Sequence, residues 1–281
     1  MHIVRYGEVG AERPAVLAHP DGSQAFDISG LADDIDAAFF ATNGLSRVRR
    51  ALAAGNLPQI DLGDQRIGAP IARPGSIYAV GLNYKDHAAE AGMEIPAEPL
   101  FFNKAPNTVV GPTDDIIMPR GAAKLDWEAE VGIVIESRSS YLPDEAAAAE
   151  VIAGYVAVND VTERSWQLDR AGQWVKGKSF PTSNPTGPWL ITPDDIQPGC
   201  PGIRLDVNGK NAQHGNTADM VFPPTYLIWY LSQFLALEPG DLVITGTPTG
   251  VGWGSDTFLS VGDVIDLEID GLGRHRNVIV G

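Results

Sequence analysis

Glu128 and Glu130 stand two residues apart in Asp126-Trp-Glu-Ala-Glu-Val-Gly-Ile-Val-Ile135, a run that reads as the start of a β-strand. Alternate residues of a strand share a face, so both carboxylates aim at one spot. Two like charges that close are unfavourable without a proton or a cation between them. A bare Glu-x-Glu is ordinarily a solvated strand edge, but a third acid argues against that reading here. Asp160, after Asn159, closes another apolar strand, Gly154 to Val158. Three carboxylates at strand ends make an oxygen-rich site of the kind Mg²⁺ or Mn²⁺ prefers, with waters or substrate completing about six ligands. The five histidines, at 2, 19, 87, 214 and 275, have no zinc-like spacing.

A second cluster is Gly81-Leu-Asn83-Tyr84-Lys-Asp-His87-Ala-Ala-Glu90. If residues 84 to 91 make a helical turn, His87 and Glu90 share a face at i and i+3. A carboxylate beside an imidazole fixes its tautomer and suits it to act as a general base on water. The plainer alternative is a surface helix with an ordinary His–Glu contact. Arg164 and Gln167, four and seven residues beyond Asp160, share a helical face and offer donors to a substrate carboxylate or carbonyl. Lys178 offers the same. The loop Thr245-Gly246-Thr247-Pro248-Thr249-Gly250 follows a strand and invites a dinucleotide reading. Pro248 interrupts it and no helix begins at Ser255, so it reads instead as a tight loop whose N–H groups and Thr247 hydroxyl face an anion. An NAD-dependent oxidoreductase is thereby disfavoured. The chain has no Gly-x-Ser-x-Gly element and no Walker loop.

The elements that must hold these residues are mainly strands. Ile77 to Val80, Val131 to Ile135, Tyr155 to Val158, Ile203 to Val207, Leu242 to Thr245 and Val264 to Ile269 are β-rich, and Asn208-Gly209 and Asp270-Gly271 are tight-turn signals. Helices are expected over Pro143 to Ala153 and along the face shared by Leu227, Leu231, Phe234 and Leu235. Residues 1–70 read as a small α+β unit with a turn at Asp21-Gly22 and a helix from Leu45 to Ala54 ended by Gly55. Residues 67–74 read as a connector to a larger domain, 71–281. Many strands and few helices predict an α+β, mostly β architecture rather than a parallel βαβ sheet.

Composition sets the class of partner. The 281 residues are 44% hydrophobic and 20% charged, ordinary globular usage. Thirty-six acidic against 20 basic side chains give a net charge of −16, which disfavours nucleic acid and membrane surfaces. An anionic substrate would need a cation and local Lys or Arg to reverse that field. Cys200 is the only cysteine, so no intrachain disulfide forms, and the N-terminus has no apolar signal-like run. A cytoplasmic location is expected.

Taken together these segments resemble the fumarylacetoacetate hydrolase family. The carriers are Gly81-Leu-Asn-Tyr…His87…Glu90, Phe101-Phe-Asn-Lys104, Lys124-Leu-Asp-Trp-Glu128-Ala-Glu130, Gly154-Tyr…Asn159-Asp160, Arg164…Gln167, Lys178-Ser179, Gly187-Pro-Trp189 and Thr245-Gly-Thr-Pro248. Each is weak alone, but their order and spacing are specific and cover about three-quarters of the chain. Glu163 to Ser179 resembles the bacterial branch of diketo sugar-acid hydrolases and proteins labelled ureidoglycolate lyase. The resemblance implies a mixed β-sandwich or β-roll, a small N-terminal domain and a homodimer. It implies Mg²⁺ or Mn²⁺ (Ca²⁺ in some members) on Glu128, Glu130 and Asp160, with His87–Glu90 on a lid that orders over substrate. Lys178 would stabilise developing charge. Arg164, Gln167, Thr247, Gly246, Asn83 and Tyr84 would face a small oxo-acid.

Two departures stand out. Phe180-Pro-Thr-Ser-Asn184-Pro replaces an Asp-Thr-Phe-like run, in a loop expected near the pocket. The upstream fourth acidic ligand of the longer enzymes has no match. The expected activity is hydrolysis of a carbon–carbon bond in a β-diketo acid, acylpyruvate-like or derived from a sugar. Decarboxylation of an oxaloacetate-type acid, keto–enol tautomerisation, a ureidoglycolate-type lyase and a non-catalytic binding protein are the alternatives.

Overall fold

The computed structural model describes residues 1–19, 22–196 and 201–281, so the expected Asp21-Gly22 turn and Cys200 fall outside the described residues. Ala129–Ile135 and Ile152–Asn159, rich in Val, Ile and Ala, pair antiparallel with Ala129 opposite Asn159 and Glu130 opposite Val158. Both strands are buried on both faces, so both carry apolar residues almost throughout. A twelve-stranded sheet grows outward from this pair. On one side lie Leu242–Ile244, Ile77–Gly81 and, as the terminal strand, Leu100–Lys104. On the other lie Asn184–Ile191, His2–Tyr6, Arg13–Leu17, Ala25–Asp27 and Gln59–Ile60.

Each face meets its own layer. Val134, Val156, Val158 and Ile244 pack with Ile3, Val16, Phe39 and Leu45 from the first seventy residues. On the opposite face, Ala129, Val131 and Ala157 pack with Leu205, Ile265, Leu267 and Ile279 of a second, five-stranded sheet. Further along that face Ile133, Ile135 and Val243 meet Ile228 and Leu231 of the helix Pro224–Ser232. Fully burying each of these larger aliphatic chains stabilises the fold by roughly 1.5–3 kcal/mol. The seam between the sheets also holds polar groups. His275 Nε2 lies 2.8 Å from the Gly187 carbonyl, and Asn277 Nδ2 donates to the Asp114 carbonyl at 2.8 Å. The architecture is α+β and mostly β, built from mixed sheets, as the strand pattern predicts.

Three elements differ from expectation. The helix expected over Pro143 to Ala153 is confined to Glu145–Ala149, capped by Asp144, because Ile152 is already paired with Ile135. The helix expected through Leu235 ends at Ser232, leaving Phe234 beyond it and 62% exposed. The first seventy residues are sewn into the long sheet rather than set apart. His2 and Ile3 pair with Ile191 and Leu190, and Ile67–Gly68, expected as connector, pairs with His2–Tyr6.

Candidate metal centre and active site

Strand register brings the three acids together. Glu128 and Glu130 share a face, and the Asp160 amide donates to the Glu128 carbonyl at 2.8 Å, which sets Asp160 across from Glu128. All three are buried, and one oxygen from each lies within 4.8 Å of the others. Burial raises the Glu130 carboxyl well above its ordinary value, and the charges of Asp160 and Glu128 push it further. Burial also works against Glu128, but Arg164 and then Lys178 overcome it and hold that carboxyl at about 2. The cluster thus lacks positive charge at Glu130. Its donors are hard carboxylate oxygens, and both facts fit a divalent ion such as Mg²⁺ or Mn²⁺.

Cations underlie the cluster. Lys178 Nζ bridges Glu128 and Asp160, reaching Asp160 Oδ2 at 2.7 Å. Arg164 reaches Glu128 at 2.6 Å, Asp126 at 2.8 Å and Gln167 at 3.1 Å. The short helices Arg164–Leu168 and Val175–Lys178 pack closely to deliver these groups. Gly177 permits the approach, since a Cβ there would sit 2.5 Å from the Glu163 carbonyl oxygen. Lys104 is 2% exposed; its ammonium binds the other oxygen of Asp160 and the Ser183 carbonyl at 2.9 Å. Asp126 is fully buried and, besides Arg164, accepts from the Gly252 and Trp253 amides at 2.7 and 3.0 Å. That carboxylate ties Arg164 to the loop after Gly250.

His87 and Glu90 lie on the helix Lys85–Glu90, with Nδ1 3.1 Å from Glu90 Oε2. Glu90 Oε1 accepts from the Gly250 amide at 3.0 Å. Burial would raise Glu90, yet hydrogen bonds from His87, Gly250 and Thr249 outweigh it and leave the carboxyl below its ordinary value. The carboxylate is therefore anionic near neutrality and anchors Nδ1, leaving Nε2 free to exchange a proton.

One pocket collects His87, Glu128, Glu130, Asp160, Arg164, Gln167, Lys178 and Thr247. The Thr247 hydroxyl donates to the Ala129 carbonyl at 2.9 Å and accepts from Gln213. Asn83, Tyr84 and Gly246 stand behind the wall. Asn83 donates to the Phe222 and Thr245 carbonyls, Tyr84 is fully buried in the core, and the Gly246 amide donates to Glu130 at 2.7 Å. The Phe180–Asn184 loop also stays off the wall and acts from below through Ser183. Lys104, Asp126 and the wall residues Phe102, Trp174 and Trp253 were not among the expected site residues. Lys104, Asp126 and Phe102 do sit inside the motifs that carry the resemblance, and Trp174 inside the Glu163 to Ser179 segment, whereas Trp253 lies in none of them.

The family described as fumarylacetoacetate (FAA) hydrolase C-terminal matches residues 76–280. The chain belongs to this family. A Burkholderia cenocepacia protein whose name goes no further than hydrolase is 44% identical over 98% of this chain and 97% of its own length. The 5-carboxymethyl-2-hydroxymuconate delta-isomerase of Mycobacterium smegmatis is 30% identical, with a TM-score of 0.78 over 100% of this chain and 98% of its own. The maleylpyruvate hydrolase of Sphingobium sp. SYK-6, solved with manganese(II) and pyruvate, is 25% identical, with a TM-score of 0.80 over 100% and 99%. These relatives thus include both a hydrolase and an isomerase. Among the described residues no helix is long and apolar enough to cross a membrane.

Proposed function

We propose that the chain is a divalent-metal-dependent hydrolase that cleaves the carbon–carbon bond between the carbonyls of a 2,4-dioxo (acylpyruvate-type) acid. The observation that carries this reading is one pocket holding both a buried three-carboxylate cluster and a His–Glu pair. A hard divalent ion on Glu128, Glu130 and Asp160 would polarise the oxo-carboxylate head of the substrate. Arg164, Gln167 and Lys178 line the same end and orient that head. His87, its tautomer fixed by Glu90, takes a proton from water as the water oxygen bonds to the distal carbonyl carbon. The bond between that carbon and the adjacent methylene then breaks. Its electron pair stays with the pyruvate fragment, which recovers a proton at the methylene carbon from His87. The products are a carboxylic acid and pyruvate. The fixed charge of Lys178 and Arg164 stabilises the negative charge that passes through this end.

Metal-stripped protein should be inactive, with activity restored by Mg²⁺ or Mn²⁺. In H₂¹⁸O the acid released from the distal carbonyl should carry the label. Full activity without metal, or turnover of every diketone with no labelled acid, would overturn the reading. The second result would favour tautomerisation or decarboxylation, a reading that the similarity to an isomerase supports.

A further inference from the structure

We propose that the outer half of the pocket selects substrates whose acyl tail is uncharged and apolar, alkyl or aryl, and rejects tails ending in a second carboxylate. This rests on the reading above for the head of the substrate. Besides the acids and their cations the wall is built from Leu82, Met93, Phe102, Leu168, Trp174 and Trp253, with the Phe102 ring 5.4 Å from Lys178 Nζ. It is a prepared surface. Trp174 meets Phe102 edge to face at 5.2 Å, and its ring is seated on Gly81, where a Cβ would come within 2.8 Å of it. Trp253 is placed by the hydrogen bond its backbone amide donates to Asp126, and its ring lies 6.0 Å from the Arg164 guanidinium. Aromatic faces and edges of this kind bury planar or aliphatic tails well.

The wall has no spare cation. Among the described residues the basic groups lining the pocket are His87, Arg164 and Lys178. Lys178 is taken by Glu128 and Asp160, Arg164 by Glu128 and Asp126, and His87 by Glu90. Arg164 and Lys178 serve the head of the substrate, and His87 serves the attacking water. Nearby Lys176 donates to the Arg170 carbonyl at 3.0 Å. A terminal carboxylate would lie mainly against indole and phenyl rings, with no unpaired cationic side chain among the described lining residues to receive it, under the field of a chain with a net charge of −16.

The test uses two probes with Mn²⁺-loaded protein. The first is kcat/KM on matched 2,4-dioxo acids of equal length ending in a phenyl, an alkyl or a carboxylate group. The second is quenching of tryptophan fluorescence by the unreactive 2-oxo acids 2-oxo-4-phenylbutyrate and 2-oxoadipate. Apolar tails should be favoured at least about tenfold in both, with the difference in kcat/KM carried by KM. Leu168→Arg, at a partly exposed helix end, should cut the preference by about tenfold or reverse it. Equal or better binding of the dicarboxylate, binding of neither 2-oxo acid, or an unchanged preference in Leu168→Arg would overturn the proposal. Preferential binding of the apolar acid without hydrolysis of any dioxo acid would uphold it while removing the hydrolase reading.

Discussion

The pocket floor and the seam between the two sheets bury polar side chains to a similar degree, yet they treat charge in opposite ways. His87 is 7% exposed and His275 2%. His87 faces a carboxylate; His275 faces the Gly187 carbonyl, which only accepts, so its Nε2 carries the proton. Burial pushes the His275 imidazole down to about 4. At the floor, the carboxylates of Asp126, Glu128 and Asp160 are interleaved with Lys104, Lys178 and Arg164. Buried charge of that kind seldom adds stability over an apolar core. The contrast teaches that partners, rather than depth, decide whether a buried polar group serves as packing or is set up for chemistry.

The sharpest way to break the contrast is to remove the base. His87→Ala should lower kcat on a dioxo acid by about 10²–10⁴-fold, with metal affinity nearly unchanged. Glu90→Gln, which keeps the shape and loses the charge, should lower kcat by about 10–100-fold. A wild-type rate in His87→Ala would place the base elsewhere. Next comes charge balance at the floor. Lys104→Met strips Asp160 of one partner and should cost about 3–5 kcal/mol in urea denaturation, because a buried pair is broken. Saturating Mn²⁺ should recover part of the loss. An unchanged midpoint would mean that the floor does not depend on its cations.

The seam gives the smallest effect and one confined to acid. The folded-state value of His275, about 4, lies below the ordinary 6.5, so the unfolded chain takes up the proton more readily. Its contribution is complete above about pH 6.5 and is lost as pH falls toward 4, by up to about 3 kcal/mol. His275→Gln should flatten that part of the urea midpoint against pH. An identical pH dependence in the variant would assign the acid sensitivity to another group.

How legible all this was depended on the range of the signal. Glu128 and Glu130 could be read together because a strand repeats every two residues, and Asp160 because it closes an apolar run. The registration of Glu128 against Asp160 is a cross-strand fact, suggested only by both sitting at strand ends. Lys104 lies 56 residues from Asp160, and nothing local to Leu100–Lys104 marks its charge as buried. Trp174, capping the helix Val175–Lys178, and Trp253, on Gly252–Ser255, reach the wall from helices too brief to show a period. Val151-Ile-Ala153 extended the apparent helix because apolar residues suit both helix and strand; pairing with Ile135 decided it. The first seventy residues read as separate because edge pairing between His2–Tyr6 and Asn184–Ile191 leaves no mark in either segment.

Leu100–Lys104 ends the long sheet and is hydrogen-bonded along one side, to Ile77–Gly81. It nevertheless carries Phe102 on the pocket wall and Lys104 beneath Asp160. Terminal strands open at lower free energy than central ones, so their amides trade hydrogen for deuterium sooner. Glu130 therefore hangs on Ala129–Ile135, among the slowest-exchanging backbone expected here, while Phe102 and Lys104 hang on a strand that opens more readily. A molecule seated against Phe102 damps that breathing, so occupancy of the pocket is registered as slowed exchange at a sheet edge while the centre stays as it was.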